Sequence, residues 1–324
     1  MNLRIATYNL FEGGGSSYNR LIEFVHQANL DVLCLQEVNH WEDADMARLK
    51  DFTDKTLFSS YAFGNSNTEY KLATVAKHPI TNKVLHAEAF WHAALETRIK
   101  VEGKEIVVFN LHLDPWQESS REKEINRVLA AVDPHVPTII TGDFNSLSPQ
   151  DDYGSNLLPL LMAKGISKYG TQAIEHRVVD RLLSMGFVDA AVQVNEFIPT
   201  VPTAFSTDKD HEVPVRIDYI FVSPDLAQLI KSVECVKTDL TETISDHYPV
   251  ILTLSSDVVA PEEKKLPPVP GAPQPAPVEP MPYREIPEPW TPPAESAPPT
   301  QEKKKQGPEI DEDGDVVMWT HDKQ

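Results

Sequence analysis

The sequence predicts a layered α/β (α+β) fold, two mixed β-sheets packed on each other with helices outside, followed by a disordered proline-rich tail. Three observations predict it. Strand, helix and strand patterns follow one another within the first 35 residues, as in a layered α/β unit. Further along, short apolar runs are joined by hairpin-like turns as well as by helical crossovers, which gives mixed rather than purely parallel sheets. Of the 27 prolines, 16 fall between Pro261 and Gln324, in a stretch with no periodic apolar positions. A folded domain is therefore expected over residues 1–256 and the tail over residues 257–324.

Residues 3–9 alternate apolar and polar side chains as a strand does, and Gly13-Gly14-Gly15 forms a loop leading to helical spacing at Leu21, Ile22, Val25 and Ala28. Residues 31–35 form a buried strand. Strand patterns follow at 72–76, 84–89 and 95–101, and Glu102-Gly103-Lys104 turns the last of these into 105–111. Helices are expected over 119–132 and 178–185, and around 157–163. The remaining strands are expected at 138–141, 187–192, 217–222, 233–236 and 248–254. Residues 148–215 are the least regular part of the domain, and loops of that length beside strand ends often shape substrate access.

The chain carries a formal net charge of −20, with 36 acidic against 22 basic residues before Pro261 and 13 against 7 from there on. This excludes a broadly basic face that grips nucleic acid through many phosphates, and leaves room for a local positive site or one made positive by a metal. The two cysteines, Cys34 and Cys235, sit in apolar strand-like runs and read as buried free thiols in a reducing compartment. Thr7 and Asn9 interrupt the N-terminal apolar run too early for a secretory leader, and no run approaches the roughly 18 residues of a membrane span. A cytoplasmic protein is expected.

Polar residues recur where predicted strands end: Asn9, Gln36-Glu37, Asn110 with His112, Asp143 with Asn145, and Asp218 with Asp246-His247. Polar groups at such places are costly to bury unless paired or bound to something, and their recurrence at five strand ends points to one shared site. Thr141-Gly142-Asp143-Phe144-Asn145 places an acid and an amide two residues apart, so that both can point the same way. Asp218 lies inside an apolar strand, where a histidine is its natural partner. His112 alternates with Leu111 and Leu113 and so faces away from them. Glu37 with a nearby aspartate suits a hard cation such as Mg²⁺, whereas closely spaced Cys and His for a softer metal are missing from the sequence.

In this order, Thr7-Tyr8-Asn9, Leu35-Gln36-Glu37-Val38, Asn110-Leu111-His112-Leu113, Gly142-Asp143-Phe144-Asn145, Ile217-Asp218-Tyr219 and Ser245-Asp246-His247 resemble the motifs of the endonuclease/exonuclease/phosphatase superfamily. The resemblance implies a four-layered α/β/β/α sandwich and metal-dependent hydrolysis of phosphate esters. It further implies that Glu37 binds Mg²⁺ or Mn²⁺ with Asn9 and Asp246, that Asp143 orients or deprotonates the attacking water, and that Asn145 holds a phosphate oxygen. His247, its tautomer fixed by Asp218, would stabilise the transition state, and His112 would contact the same phosphate or assist the leaving group. A carboxylate two residues after the first Asn, usual in abasic-site and tyrosyl-DNA members, is replaced here by Phe11, with Glu12 adjacent. Glu69 stands near the stretch where some members carry a histidine-orienting glutamate.

The substrate expected first is a nucleic acid, DNA or RNA. The alternatives are a phospholipid or inositol-phosphate ester, or a scaffold without turnover that works through its proline-rich tail. Arg98 is a candidate phosphate ligand or a solvated strand arginine, and Trp91-His92 and Trp116 are loop aromatics that either stack on a ring of the substrate or cover a core edge. The tail, with its Pro-Pro repeats and an acidic run before Val316-Val317-Met318-Trp319, is expected to be a tether or a docking segment for a protein partner.

Overall fold

The computed structural model describes residues 1–207 and 209–256, and the tail expected from residue 257 onward lies outside the described residues. Twelve strands form two six-stranded mixed sheets. The first sheet is built from β1 (Asn2–Asn9), β2 (Val32–Gln36), β3 (Ser60–Gly64) and β4 (Leu72–Ala76), and is completed by strands from the C-terminal end of the domain. The second contains β5 (Ile80–His86), β6 (Ala93–Val101), β7 (Lys104–His112), β8 (Thr138–Asp143), β9 (Val188–Asp189) and β10 (Asp218–Val222). β11 (Ile230–Cys235) and β12 (Val250–Ser255) then return to the first sheet, giving the orders β11-β12-β1-β2-β4-β3 and β5-β6-β7-β8-β10-β9. Each sheet holds one parallel pair, β1 with β2 and β7 with β8, and each parallel crossover carries a helix.

Those helices cover the outer faces. Leu21, Phe24 and Val25 of α1 (Tyr18–Ala28) and Leu49 and Phe52 of α2 (Asp43–Thr56) pack with Ala6, Tyr8, Leu33 and Leu35 of the first sheet. On the other side, Ile125 and Val128 of α3 (Glu118–Ala131) meet Phe109, Ile140 and Phe221. A short helix α4 (Leu157–Ala163) belongs to a smaller cluster with Leu147 and Ile217, and Val178 and Leu182 of α5 (Arg177–Ser184) pack beside α3. The α/β/β/α layering expected from the sequence is thus the observed one.

The strand period of two sorts each strand between the layers. Leu3 and Ile5 of β1 and Val32 and Cys34 of β2 point between the sheets, toward Val108, Ile139 and Ile220 of the second sheet. Continuing along the same faces, Thr7 and Asn9, Gln36, Asn110 and His112, Thr141 and Asp143, and Asp218 come next. The seam between the sheets therefore turns from apolar to polar along the strands, and the polar end is where the site forms. Gln36 Nε2 donates to Asn110 Oδ1 (2.7 Å), and Asn110 Nδ2 donates to the carbonyls of Leu35 and Ala73 (3.0 Å each), so that the two sheets are cross-linked by buried amides just below the site.

Two local expectations need correction. The strand expected over 187–192 ends at Asp189, whose side chain accepts the Ala191 N–H (3.0 Å) and caps a helical turn from Ala190. β5 begins four residues earlier than its apolar run, because Ile80 and Asn82 pair with Ile99 and Arg98 across a bulge. α2 and β3 were not marked by periodicity. Cys34 and Cys235 are both free and buried, and burial pushes each thiol up to about 12. Among the described residues no helix is long and apolar enough to cross a membrane.

Candidate active site

The site is assembled from chain ends that the topology brings to one rim. Asn9 closes β1, Glu37 follows β2, His112 closes β7 and Asp143 closes β8. β10 and β12 run antiparallel to their neighbours, so Asp218 at the start of β10 and Asp246-His247 just before β12 arrive at the same rim. Asp218 sits opposite Asp143 across the β8–β10 pair, and His112 sits opposite Asp143 across the β7–β8 pair.

All eight side chains singled out in the sequence meet here. Asn9 Nδ2 donates to Asp143 Oδ2 (3.0 Å) and to Glu37 Oε1 (3.2 Å), while its Oδ1 accepts the Phe11 N–H (3.1 Å). Glu37 Oε2 accepts the backbone N–H of Glu12 (3.0 Å). Asp143 Oδ1 accepts the Asn145 N–H (2.9 Å), and its Oδ2 lies 3.6 Å from His112 Nε2 and 3.8 Å from His247 Nε2. His247 Nδ1 pairs with Asp218 Oδ2 at 2.8 Å, with both side chains about 1 % exposed. Glu37 and Asn145 hold φ of 56° and 48°, left-handed values that ordinary residues adopt at a cost and that turn both side chains into the cleft.

Electrostatics separate the two histidines. Burial alone would lower His247, but Asp218 and then Asp246 raise it to about 10, so it is an imidazolium at neutral pH. His112 is lowered to about 3, first by burial and then by the charge of His247, and is a neutral ring. Among the described residues its Nδ1 has no hydrogen-bond partner, and the ring stacks on His92, with centroids 3.9 Å apart and planes at 17°. Burial, with Asp246 adding to the effect, pushes Glu37 up to about 7 against the Glu12 N–H. Asp246 is held below its ordinary value, because His247 and His211 more than offset the burial that would raise it.

The cleft around these groups encloses about 320 Å³ and is lined by Glu37, His112, Asp143, Asn145 and His247, together with residues that sequence reasoning missed. Lys168, 7 % exposed, lies 3.3 Å from Asn145 Oδ1 and 3.5 Å from His211 Nε2, and His211 Nδ1 lies 3.1 Å from Asp246 Oδ2. Both come from the irregular 148–215 segment, which carried no periodic signal. A buried tie holds the Lys168 backbone: the fully buried Arg121 of α3 donates to the carbonyls of Asp114 (2.8 Å) and Lys168 (2.5 Å) and pairs with Glu118 (2.8 Å). Glu118 in turn accepts from Ser146 Oγ (2.7 Å) and the Val178 N–H (3.0 Å). Arg98 does not reach the site, since it pairs with Glu105 at 2.8 Å and stands opposite Val107, five residues down β6 from the His112 level. Glu69 lines the cleft.

Hard oxygen donors gather at and just behind the cleft floor, with the four carboxylates Glu37, Asp143, Asp218 and Asp246 beside His211, His247 and Lys168. Two groups have potential ligand atoms within 4.8 Å of one another, His211 with Asp246 and His247, and Asp143 with Asp218 and His247. An excess of buried carboxylate over fixed positive charge, with Glu37 raised to about 7, is what a divalent cation would relieve. The carboxylates therefore fit such an ion.

The sequence profile of the endonuclease/exonuclease/phosphatase family matches residues 6–247. No curated protein matches the chain. Among solved structures, an AP endonuclease from Archaeoglobus fulgidus superposes with a TM-score of 0.59 at 18% identity, covering 78% of this chain and 99% of that one. A humanized D. rerio TDP2 gives 0.56 at 15% identity, covering 79% and 99%. A mannosyl-6-phosphatase from Bacteroides thetaiotaomicron gives 0.54 at 19% identity, covering 78% and 99%. These likenesses establish the common fold, and the family match over most of the chain establishes membership: the chain belongs to the endonuclease/exonuclease/phosphatase family, whose members are phosphoester hydrolases.

Proposed function

We propose that this member of the family hydrolyses phosphodiesters or phosphomonoesters of nucleic acid in a reaction that depends on Mg²⁺ or Mn²⁺. The observation that carries the proposal is the convergence of Asn9, Glu37, His112, Asp143, Asn145, Asp218, Asp246 and His247 at one cleft, with the His247 imidazolium paired to the buried Asp218 carboxylate at 2.8 Å. Glu37 and Asp246 are the carboxylates that would hold the cation, and Asn9, bonded to both Glu37 and Asp143, keeps the two oriented. When bound, the ion neutralises phosphate charge and polarises the phosphoryl group.

The remaining steps belong to the protein. Asp143, fixed by Asn9 and by the Asn145 N–H, is the acceptor for the proton of the attacking water. As the water oxygen bonds to phosphorus, the P–O bond to the ester oxygen breaks, and charge grows on the non-bridging oxygens. The His247 imidazolium stabilises that charge, with Asp218 paired to Nδ1 and holding the ring so that Nε2–H points into the cleft. The Asn145 amide and the neutral His112 ring donate to phosphate oxygens, and His112 faces the leaving group. The TDP2 and AP endonuclease likenesses favour nucleic acid among the substrate classes, while the mannosyl-6-phosphatase likeness keeps small phosphomonoesters as the second reading.

A panel of labelled single-stranded DNA, duplex DNA, RNA, sugar phosphates, inositol phosphates and a phospholipid, each with Mg²⁺ or Mn²⁺, tests this reading. Cleavage of a nucleic acid is expected. Turnover confined to sugar, inositol or lipid phosphates would reject the substrate class and keep the chemistry.

A further inference from the structure

Beyond His112, the cleft has an aromatic wall that the hydrolytic chemistry does not use. From the floor outward, His112 stacks on His92, Tyr70 lies edge-on to both, and Trp91 and Trp116 stand at the opening. The two indoles are 47% and 56% exposed, with centroids 6.5 Å apart and planes at 84°, whereas Trp41 is fully buried in the core. Trp91 comes from the β5–β6 connection and Trp116 from the β7–α3 connection. Two solvent-facing indoles on separate loops would be free to swing, yet their backbones are pinned by one buried side chain. Glu124 of α3, 2 % exposed, accepts the Trp91 N–H on Oε1 (2.5 Å) and the Asp114 N–H on Oε2 (2.8 Å). Asp114 Oδ1 then accepts the Trp116 N–H (2.6 Å) and the Gln117 N–H (2.9 Å).

We infer that Trp91 and Trp116 form a stacking subsite for an unpaired nucleobase next to the scissile phosphate, with Glu124 as its positioning residue, so that the enzyme prefers single-stranded nucleic acid to duplex. The inference rests on the reading of the cleft as a phosphate-ester site acting on nucleic acid. An edge-to-face indole pair presents an open ring face to a planar ligand, and a base in a duplex has its own faces covered by its neighbours. The acidic surface argues the same way, because a protein of net charge −20 has little to hold a long duplex backbone and must recover affinity from contacts that do not depend on phosphate charge.

The test uses the full chain with Mn²⁺ and short single strands in which one natural phosphodiester is flanked by uncharged, uncleavable linkages. The residue beside that phosphate carries either a nucleobase or a tetrahydrofuran without a base, and the readout is the ratio of the two kcat/KM values. Stacking predicts a ratio of roughly 5 to 100 in favour of the base. Trp91→Leu and Trp116→Leu should each bring the ratio toward one, Trp116→Phe should keep most of it, and Glu124→Gln, which keeps both indoles but removes one of the two acceptors that pin their backbones, should lower it. A wild-type ratio near one, or a ratio unmoved by both leucine variants, overturns the inference while leaving the hydrolytic reading intact. Cleavage of neither strand by an enzyme that hydrolyses other phosphate esters rejects the nucleic-acid reading and this inference together.

Discussion

Replacing Arg121 by methionine tests how the catalytic rim is held together. The guanidinium is fully buried, pairs with Glu118 at 2.8 Å, and donates to the carbonyls of Asp114 and Lys168. Methionine fills much of the volume but leaves Glu118 without its cation and two buried carbonyls without donors. Breaking a buried ion pair from one side costs about 3–5 kcal/mol. For a domain of this size each kcal/mol shifts Tm by about 2–4 °C, so the expected loss is on the order of 6–20 °C. The segments released are those that follow His112 and carry Lys168, and a misplacement of about 1 Å there is expected to cost about 10²-fold in activity. Calorimetry and urea unfolding read the first effect and steady-state kinetics below the new Tm the second. A loss under about 1 kcal/mol with unchanged turnover would refute the view that this pair organises the rim.

Three further outcomes follow from the same geometry. Asp218→Asn removes the partner that raises His247 toward 10, so the imidazole pKa should fall, as followed by NMR titration, and kcat/KM should drop about 10²- to 10⁴-fold with its alkaline limb moved to lower pH. Glu37, raised to about 7, must lose its proton before it can take a cation; Mn²⁺ affinity measured by calorimetry should therefore weaken by up to about tenfold per pH unit below 7, and Glu37→Gln should abolish that dependence. Gly142→Ala places a Cβ 2.1 Å from the Leu111 carbonyl at a φ of +140°, so it should destabilise by about 3 kcal/mol or more in denaturant unfolding, because the clash is with the backbone of β7 and not with a side chain that can turn away.

The features legible in the sequence share one physical cause. A strand fixes side-chain direction by alternation, so an apolar run that ends in Asn9, His112 or Asp143 states both the strand and the face that the polar group must share with its neighbours. Asp218 announced its histidine because a carboxylate in an apolar strand needs a partner, and His247 lies 2.8 Å away. Lys168 and His211 were not legible, since they stand in the irregular segment and are brought to the cleft by long-range contacts such as Arg121 to the Lys168 carbonyl. α2 escaped for a local reason: Ala44, Asp45 and Met46 have positive φ at its start, and its buried face contains few large apolar residues beyond Leu49 and Phe52. The end of β9 was hidden because Asp189 carries two duties, capping Ala191 and pairing with Arg216, that only the folded arrangement reveals.

In the proposed reaction Asp143 and a divalent cation act together on the phosphate ester. The direct measurement is hydrolysis of bis(p-nitrophenyl) phosphate and labelled single-stranded DNA by the wild type and Asp143→Asn, each with Mg²⁺, with Mn²⁺ and with EDTA. Turnover is expected with the cations, loss with EDTA that is restored by added metal, and a fall of several orders of magnitude in the variant even when metal is saturating. Full activity in EDTA, or in Asp143→Asn, would contradict the proposed reaction.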